Sequence, residues 1–407
     1  MSFVHTNQAV LRPGVRVRPV LGAAARAGPA WLTVGASLGL SLVGLHAIDV
    51  GAGVADRALF ELGPLAMRQG VFVGAGALAA LAIILPNYRL LGYASWVLFG
   101  LALALLVVLL LPFVPAFLVR PRNGARSWID LGPVDLQPSE LMKIAWVMAL
   151  AWYLRYKGNH RTLRGLLPPA LITALPVGLI VLQPDLGTAC LFIPALFAVL
   201  VAAGAKLWHL GLIVLLAALA APAAYPMLLP HQKARLAGLV MQMQGDESAD
   251  QDINMQSATA KRLAGAGGLA GAGQHMSRVL VRYNALPERH NDMVFAVVVN
   301  RFGLGGGLGV LALYALWAVG ALWTAALCRE PFGRLVPVGL AAFVGAQAFI
   351  NIGMNLGLLP IIGITLPFVS HGGSSMVTSW LMTGLVWSIA LRRPRVTVRK
   401  SFEWDED

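Results

Sequence analysis

Long apolar stretches without Lys, Arg, Asp or Glu recur along the chain: Trp31–Ile48, Gln69–Tyr88, Leu90–Val119, Gly165–Pro184, Leu186–Ala205, Leu207–Gln232, Phe302–Cys328, Leu335–Ser370 and Gly372–Leu391. A further stretch, Pro138–Leu154, carries Glu140 and Lys143 in its first two turns. A helix needs ~20 predominantly apolar residues to cross hydrocarbon, and these runs meet that length. They do not alternate every second residue, as strands of a membrane barrel do. The pattern predicts an all-α polytopic membrane protein with ten transmembrane helices. The run Leu335–Ser370 holds one of these helices and a loop rich in Pro and Gly.

Composition agrees. The chain is 58% hydrophobic and 12% charged, where soluble domains are nearer ~45–50% and ~25%. Disorder is excluded, because disordered chains show the opposite bias. Lys and Arg exceed Asp and Glu by 31 to 18, a net charge of +13. On a soluble protein that excess suggests nucleic acid. Here the basic residues lie between apolar runs, so membrane lipids with anionic headgroups are the expected partner. With the N-terminus inside, inner segments collect most of the Lys and Arg, while short outer segments hold only Arg57, Arg68, Arg120, Arg122, Arg126 and Lys143. Both termini are therefore expected in the cytoplasm. The expected division is a basic tail at 1–29, a membrane domain at 30–391 and a second tail at 392–407. The first apolar run follows the basic tail without a small-residue cleavage site and reads as an uncleaved anchor. Cys190 and Cys328 lie in separate spans, near opposite ends, which disfavours a bridge.

Three outer segments hold most of the polar chemistry: Arg120–Pro138, a long loop at 230–292 between helices 7 and 8, and Gly357–Ser375. In the long loop the Gly/Ala run Ala264–Gly273 lacks a phosphate-loop pattern and is expected to be flexible or to lie on the membrane surface. Asp246, Glu247, Asp250 and Asp252 read better as a solvated acidic stretch than as a cation site.

Glu140 and Lys143 are three apart at the start of a helix and share a face. Ionisable residues at membrane depth are costly and by default functional; a pair that satisfies itself is the alternative. Arg126, just ahead, suits phosphate or pyrophosphate, which a guanidinium grips bidentately, whereas Trp128 suits an interfacial anchor. Gln183-Pro184-Asp185 interrupts two apolar runs, where Asp185 is either a turn cap or functional. Asp292 ends the long loop and opens an apolar helix. It is either a helix cap or a partly desolvated carboxylate suited to general-base work. The run Asn351–Ser375, with Ser370, His371 and Ser374, is irregular backbone of the kind tolerated at membrane depth where it lines a cavity.

These stretches, Asn123–Trp128, Gln137–Glu140 with Lys143, Gln183–Ala189, Leu286–Phe295 and Asn351–Ser375, closely resemble the SEDS family of shape, elongation, division and sporulation proteins, RodA and FtsW. They thread most of the chain after residue 120; the first 120 residues match only in hydropathy. The resemblance implies a peptidoglycan glycosyltransferase of the bacterial cytoplasmic (inner) membrane that polymerises lipid II. It implies a class B penicillin-binding protein as transpeptidase partner, Asp292 as the essential catalytic residue, and Lys143 and Asp185 lining a central cavity. Departures from the family pattern are Asn291 in place of Thr, His371 in place of Tyr, Asn300-Arg301 in place of Glu, and Asn284 where some division members are acidic. The Gly-Leu-Leu-Pro-Ile-Ile-Gly wording leans toward RodA.

The expected reaction joins a lipid-pyrophosphate-linked glycan to a sugar hydroxyl of a second lipid II. Asp292 takes the hydroxyl proton. Lys143 and Arg126, with or without a divalent cation (Mg or Mn), offset charge on the leaving pyrophosphate. Glu140, Asp185, Gln183, Ser370, His371 and Ser374 complete the expected substrate-binding set. A lipid II transporter and a non-catalytic scaffold for a transpeptidase are the rival readings.

Overall fold

The computed structural model describes residues 27–52, 62–112, 114–115, 118–119, 126–132, 134–227, 230–244 and 254–393. Both terminal tails up to residue 26 and beyond 393 lie outside the described residues, as do Arg57, Arg120, Arg122, Asn123–Ala125 and the acidic run Asp246–Asp252.

Ten helices coincide with the expected spans: α1 (Ala30–Gly51), α2 (Pro64–Ile84), α4 (Ser95–Leu110), α5 (Pro138–Leu154), α6 (Leu167–Leu182), α7 (Leu186–Ala203), α8 (Leu207–Ala224), α12 (Val294–Leu327), α13 (Pro331–Asn355) and α14 (Gly373–Arg392). The short α3 (Tyr88–Tyr93) precedes α4, and α9 (Pro230–Met243), α10 (Met255–Ala266) and α11 (Gln274–Tyr283) occupy the long loop. Seven are long and apolar enough to cross a membrane, α6 when counted from Arg164, and shorter apolar helices run Ser95–Leu110 in α4 and Leu207–Leu219 in α8. The chain is a multi-pass, all-α membrane protein. Its described strands are β1 (Ile129–Asp130) and β2 (Asp135–Leu136), an antiparallel hairpin in the first outer segment.

Helix α5 is the axis of the bundle. It is buried on nearly every side, from Pro138 to Leu154, as an apolar-all-round sequence requires. Its Trp146 meets Phe192 of α7 and Phe343 of α13 edge to face, with ring centroids 5.3 and 5.6 Å apart. Around it, α1 packs on α12, α2 on α14, and α7 on α13. Where helices approach in a membrane, close packing replaces the hydrophobic drive.

Two expectations change. The run Ala264–Gly273, expected to be flexible or on the membrane surface, packs backbone to backbone against α12. The Ala272 amide donates to the Asn300 carbonyl at 2.9 Å, and the Leu304 amide to the Gly268 carbonyl at 3.0 Å. The loop fits because α12 breaks at Gly303 (φ 68°, ψ −164°). A Cβ there would collide with the Leu269 carbonyl, and only glycine adopts that backbone without strain. The span that was expected to begin at Phe302 is consequently the second half of a broken helix, whose first half, Val294–Phe302, starts beside Asp292.

Long-range polar bonds also tie the long loop down. Arg278 of α11 forms a buried ion pair with Asp49 at the end of α1, at 2.6 Å, and Asp49 also accepts from the Gly63 amide at 2.8 Å. At the other end of the bundle, Glu330 ahead of α13 accepts from Tyr88 at 2.5 Å and Arg89 at 2.9 Å.

Candidate functional site

The three outer segments meet at the end of the bundle where α13 stops. Helix α5 begins with Pro at its first turn, which needs no amide partner there. Glu140 and Lys143 follow on the same face. Lys143 Nζ donates to Glu140 Oε1 at 2.7 Å and to Gln347 Oε1 of α13 at 2.9 Å. Both charged residues are buried, Lys143 to 1% exposure. An ammonium has three donors, and these two bonds leave one donor without a protein partner among the described residues. Since the ammonium is sealed from solvent, a ligand reaches it only when the surrounding wall opens.

Asp185 is both a cap and a member of this cluster. Its Oδ1 accepts from the Thr188 amide at 3.0 Å, the standard N-cap bond of α7, and its Oδ2 accepts from Gln137 at 3.2 Å. Burial pushes the Asp185 carboxyl up, the bonds from Thr188 opposing that shift. The Gln137 amide donates to Ser374 Oγ at 3.1 Å, which joins the start of α5 to the start of α14.

Asp292 sits where the long loop meets α12. Met293, not Asp292, holds the capping position of that helix, and the first-turn amide of Ala296 donates instead to Asn355 Oδ1 at 3.1 Å. The Asp292 carbonyl accepts from Asn351 at 2.8 Å and Asn355 at 2.9 Å. Its carboxylate lies beside Gly363, where an added Cβ would stand 3.6 Å from Oδ2. Two residues on, Thr365 accepts from Gln347 through its carbonyl at 2.9 Å. An extended residue spans at most ~3.6 Å, so Asp292 and the Lys143–Gln347 contact flank a segment only ~7 Å long. Thr365 Oγ1 also meets Ser375 Oγ at 3.2 Å.

The loop before α14 is stitched to the loop before α12. Ser370 Oγ donates to the Asn291 carbonyl at 2.6 Å and accepts from the Leu366 amide at 2.7 Å; the His371 amide donates to the His290 carbonyl at 2.8 Å. Gln69 of α2 donates to the Ser370 carbonyl at 3.0 Å. The His371 ring faces Phe72, and burial with the nearby Arg68 charge lowers its pKa. Burial, Arg289 and His371 push the His290 imidazole down to about 4. Gly44 of α1 lets this loop close in, since a Cβ there would stand 2.5 Å from the Val369 carbonyl.

The structure thus brings Glu140, Lys143, Asp185, Ser374 and Asp292 around the segment Ile362–Thr365, with Ser370 and His371 on the adjoining loop. It directs Gln183 elsewhere: its amide donates to the Leu106 carbonyl of α4 at 2.9 Å. Arg126 lies by the end of α4, with Nη2 3.5 Å from the Leu111 carbonyl and a buried Nε that has no hydrogen-bond partner among the described residues. Sequence reasoning missed Gln347, and passed over Asn351, Asn355 and Thr365 individually. The spacing Gln-x3-Asn-x3-Asn in an apolar span was the available signal, because it sets three carboxamides on one helix face. The departures sit beside the site: Asn291 donates to Glu288 at 2.7 Å, Asn300 to the Leu263 carbonyl at 2.8 Å, and Arg301 Nε to His46 at 3.3 Å. Asn284, just past the end of α11, donates to the Leu280 carbonyl at 2.8 Å.

Fold and site together define a polytopic membrane protein whose ionisable and carboxamide side chains converge at one end of a helical bundle. The chain belongs to the FtsW, RodA and SpoVE family, whose profile, described as "Cell cycle protein", matches residues 32–394. It is 35% identical over 374 residues to the probable peptidoglycan glycosyltransferase FtsW of Nitrosococcus halophilus, covering 88% of this chain and 92% of that one. It is also 35% identical over 293 residues to the peptidoglycan glycosyltransferase MrdB of Escherichia coli, covering 72% and 77%. Among solved structures it resembles the Thermus thermophilus rod shape determining protein RodA (TM-score 0.64, 28% identity, 90% and 97% covered). It also resembles a chain from a study of polymerisation and crosslinking by a peptidoglycan synthase complex (TM-score 0.72, 30% identity, 88% and 97% covered).

Proposed function

We propose that this chain is a peptidoglycan glycosyltransferase that polymerises lipid II at the outer face of the bacterial inner membrane. The observation that carries the reading is that Asp292 lies beside Gly363 while Lys143 bonds Gln347, which holds Thr365 two residues on, in a family whose relatives are named for this activity. A hydroxyl nucleophile needs a base and a pyrophosphate leaving group needs a cation. Asp292 accepts the proton of the acceptor's hydroxyl as its oxygen bonds to the donor's anomeric carbon. The bond from that carbon to the pyrophosphate breaks, and the leaving lipid pyrophosphate takes the electron pair. Lys143 offsets the charge gathering there, with Arg126 contributing the guanidinium Nε that has no protein partner among the described residues.

In this reading Asp185, Ser374 and His371 shape the substrate wall. Glu140, Gln183 and Ser370 act through what they hold: Lys143, α4 and the Asn291 carbonyl. A Mg or Mn ion would be held chiefly by the substrate's pyrophosphate and by water, as Mg commonly is. Among the described residues no three His, Cys, Asp or Glu side chains gather; Glu140 is engaged by Lys143, and both Asp185 oxygens are engaged by Thr188 and Gln137. No step is routed through a cation. The resemblance to a chain of a peptidoglycan synthase complex supports a class B penicillin-binding protein as transpeptidase partner.

The test is purified protein in vesicles given labelled lipid II. Glycan strands from the wild type, falling roughly 10²–10⁴-fold in Asp292→Asn, are expected for a general base. Met293 occupies the N-cap position without a side-chain bond, and Asn351 and Asn355 hold the Asp292 carbonyl, so the near-isosteric Asn variant should fold and insert normally. Leaflet exchange without strands indicates a transporter, and neither activity indicates a scaffold. Near wild-type strand synthesis by folded Asp292→Asn sinks the mechanism.

A further inference from the structure

Gln347, Asn351 and Asn355 of α13 stand at i, i+4 and i+8, in one row on one face. Each bridges two partners from other parts of the chain or from the row itself. Gln347 accepts from Lys143 Nζ at 2.9 Å and donates to the Thr365 carbonyl at 2.9 Å. Asn351 donates to the Asp292 carbonyl at 2.8 Å and to the Ile364 carbonyl at 2.6 Å. Asn355 donates to the Asp292 carbonyl at 2.9 Å and accepts from the Ala296 amide at 3.1 Å. The row therefore touches the cation through Gln347, the Asp292 backbone through Asn351 and Asn355, and the segment between them through Gln347 and Asn351.

We propose that this row is a molecular ruler, and that its middle member, Asn351, is a positioning residue that sets Asp292 at its working distance from Lys143. The proposal rests on the reading of Asp292 as the base. An amide nitrogen has two N–H donors; Asn351 spends one on Asp292 and one on Ile364, so the base and the intervening segment share a single anchor. Asn355 steadies that anchor, donating to the Asn351 carbonyl at 2.9 Å and to its Oδ1 at 3.3 Å. Asn351 is fully buried, so its own amide is shielded from water. A helix rises 1.5 Å per residue, which separates the Gln347 contact from those of Asn351 and Asn355 by ~6 and ~12 Å along the axis.

That separation matters because base and leaving-group cation must stand on opposite sides of the reacting carbon. A displacement of 1 Å can cost ~10²-fold in rate. Carboxamide rows also glue membrane helices together, and the experiment must tell the two roles apart.

Wild type, Asn351→Ala, Asp292→Asn and the double variant are purified at full length and assayed with lipid II, with rates expressed per folded molecule. Asn355→Ser, which removes only one of the two donors on Asp292, serves if Asn351→Ala does not fold. The ruler predicts a ~10–10²-fold fall in kcat for Asn351→Ala with KM changed less than about threefold, and no further fall when it is added to Asp292→Asn. It also predicts that the acid limb of the kcat–pH profile moves in Asn351→Ala and Asn355→Ser, because the base's surroundings change; this decides the matter if the double variant is too slow to measure. Equal factors of loss on both backgrounds, an unmoved acid limb, or wild-type kcat in folded Asn351→Ala overturns the ruler. If Asp292→Asn is inactive under those outcomes, the base reading survives them. An active Asp292→Asn overturns the base reading itself and the ruler with it.

Discussion

Removing the charge of Lys143 separates what the buried cluster does for the fold from what it does for chemistry. Lys143→Met leaves the Glu140 carboxylate, 6% exposed at its side chain, without its 2.7 Å ammonium partner. Breaking a buried pair in this way costs about 3–5 kcal/mol, because the surviving charge is stranded. Glu140→Gln leaves the ammonium facing neutral acceptors, Gln347 among them. It should cost less than Lys143→Met, since a carbonyl oxygen on each side still accepts from Nζ. The double variant Glu140→Gln/Lys143→Met removes both charges and should recover most of the lost stability. Turnover should not recover with it. Loss of one preorganised group facing a developing anion typically lowers kcat by ~10²–10³, and that loss should appear in both variants lacking the ammonium. Denaturation in detergent reads the first quantity, and lipid II turnover per folded molecule reads the second. A folded double variant that turns over lipid II like the wild type would refute the assignment of Lys143 to the leaving group.

Three further outcomes follow from named contacts. Asp185→Asn keeps the oxygen that caps Thr188 and relieves a buried charge whose pKa is raised by desolvation. It should raise the melting temperature while lowering turnover, and a lowered melting temperature would contradict this. His290 titrates at about 4 in the fold against 6.5 ordinarily. The folded state thus prefers the neutral ring, and His290's contribution to stability is present above pH ~6.5 and lost as pH falls toward ~4. His290→Asn should flatten that part of the melting-temperature profile, and an equally steep profile in the variant would count against it. Arg278→Leu strands the buried Asp49 carboxylate and should cost ~3–5 kcal/mol, with faster proteolysis around α11. Pairing it with Asp49→Leu should restore much of the stability, which thermal denaturation of the two variants checks.

The spans were legible because hydrocarbon imposes a length and a composition on each helix separately. Pro138–Leu154 is an example: a charge-bearing run recognised as a span from its own residues, with the same bounds in the structure. Asp185 and Glu140–Lys143 stood out for the same reason, as charges inside apolar context. What a sequence pattern does not carry is which side chain turns toward which neighbour. Gln183 and Asp185 are two residues apart, yet one reaches α4 and the other reaches Gln137. The Asp49–Arg278 pair joins positions 229 apart in sequence, and nothing near either residue announces the other. The Gly/Ala run misled because small residues serve a loose linker and a tight backbone contact equally well. Only the break at Gly303, across which that run packs, separates the two.

The anchors of Asp292 also impose an order on biosynthesis. Its carbonyl is held by Asn351 and Asn355, and the neighbouring loop backbone by Ser370 and His371, all of which leave the ribosome well after Asp292 itself. Until α13 has entered the membrane and the loop before α14 has folded back, a nascent chain carries the carboxylate without the frame that aims it. A chain released after α12 would retain Asp292, the long loop and most of the spans. It would have no means of holding the base in place, so assembly of the site is a late event that reports completion of the whole membrane domain.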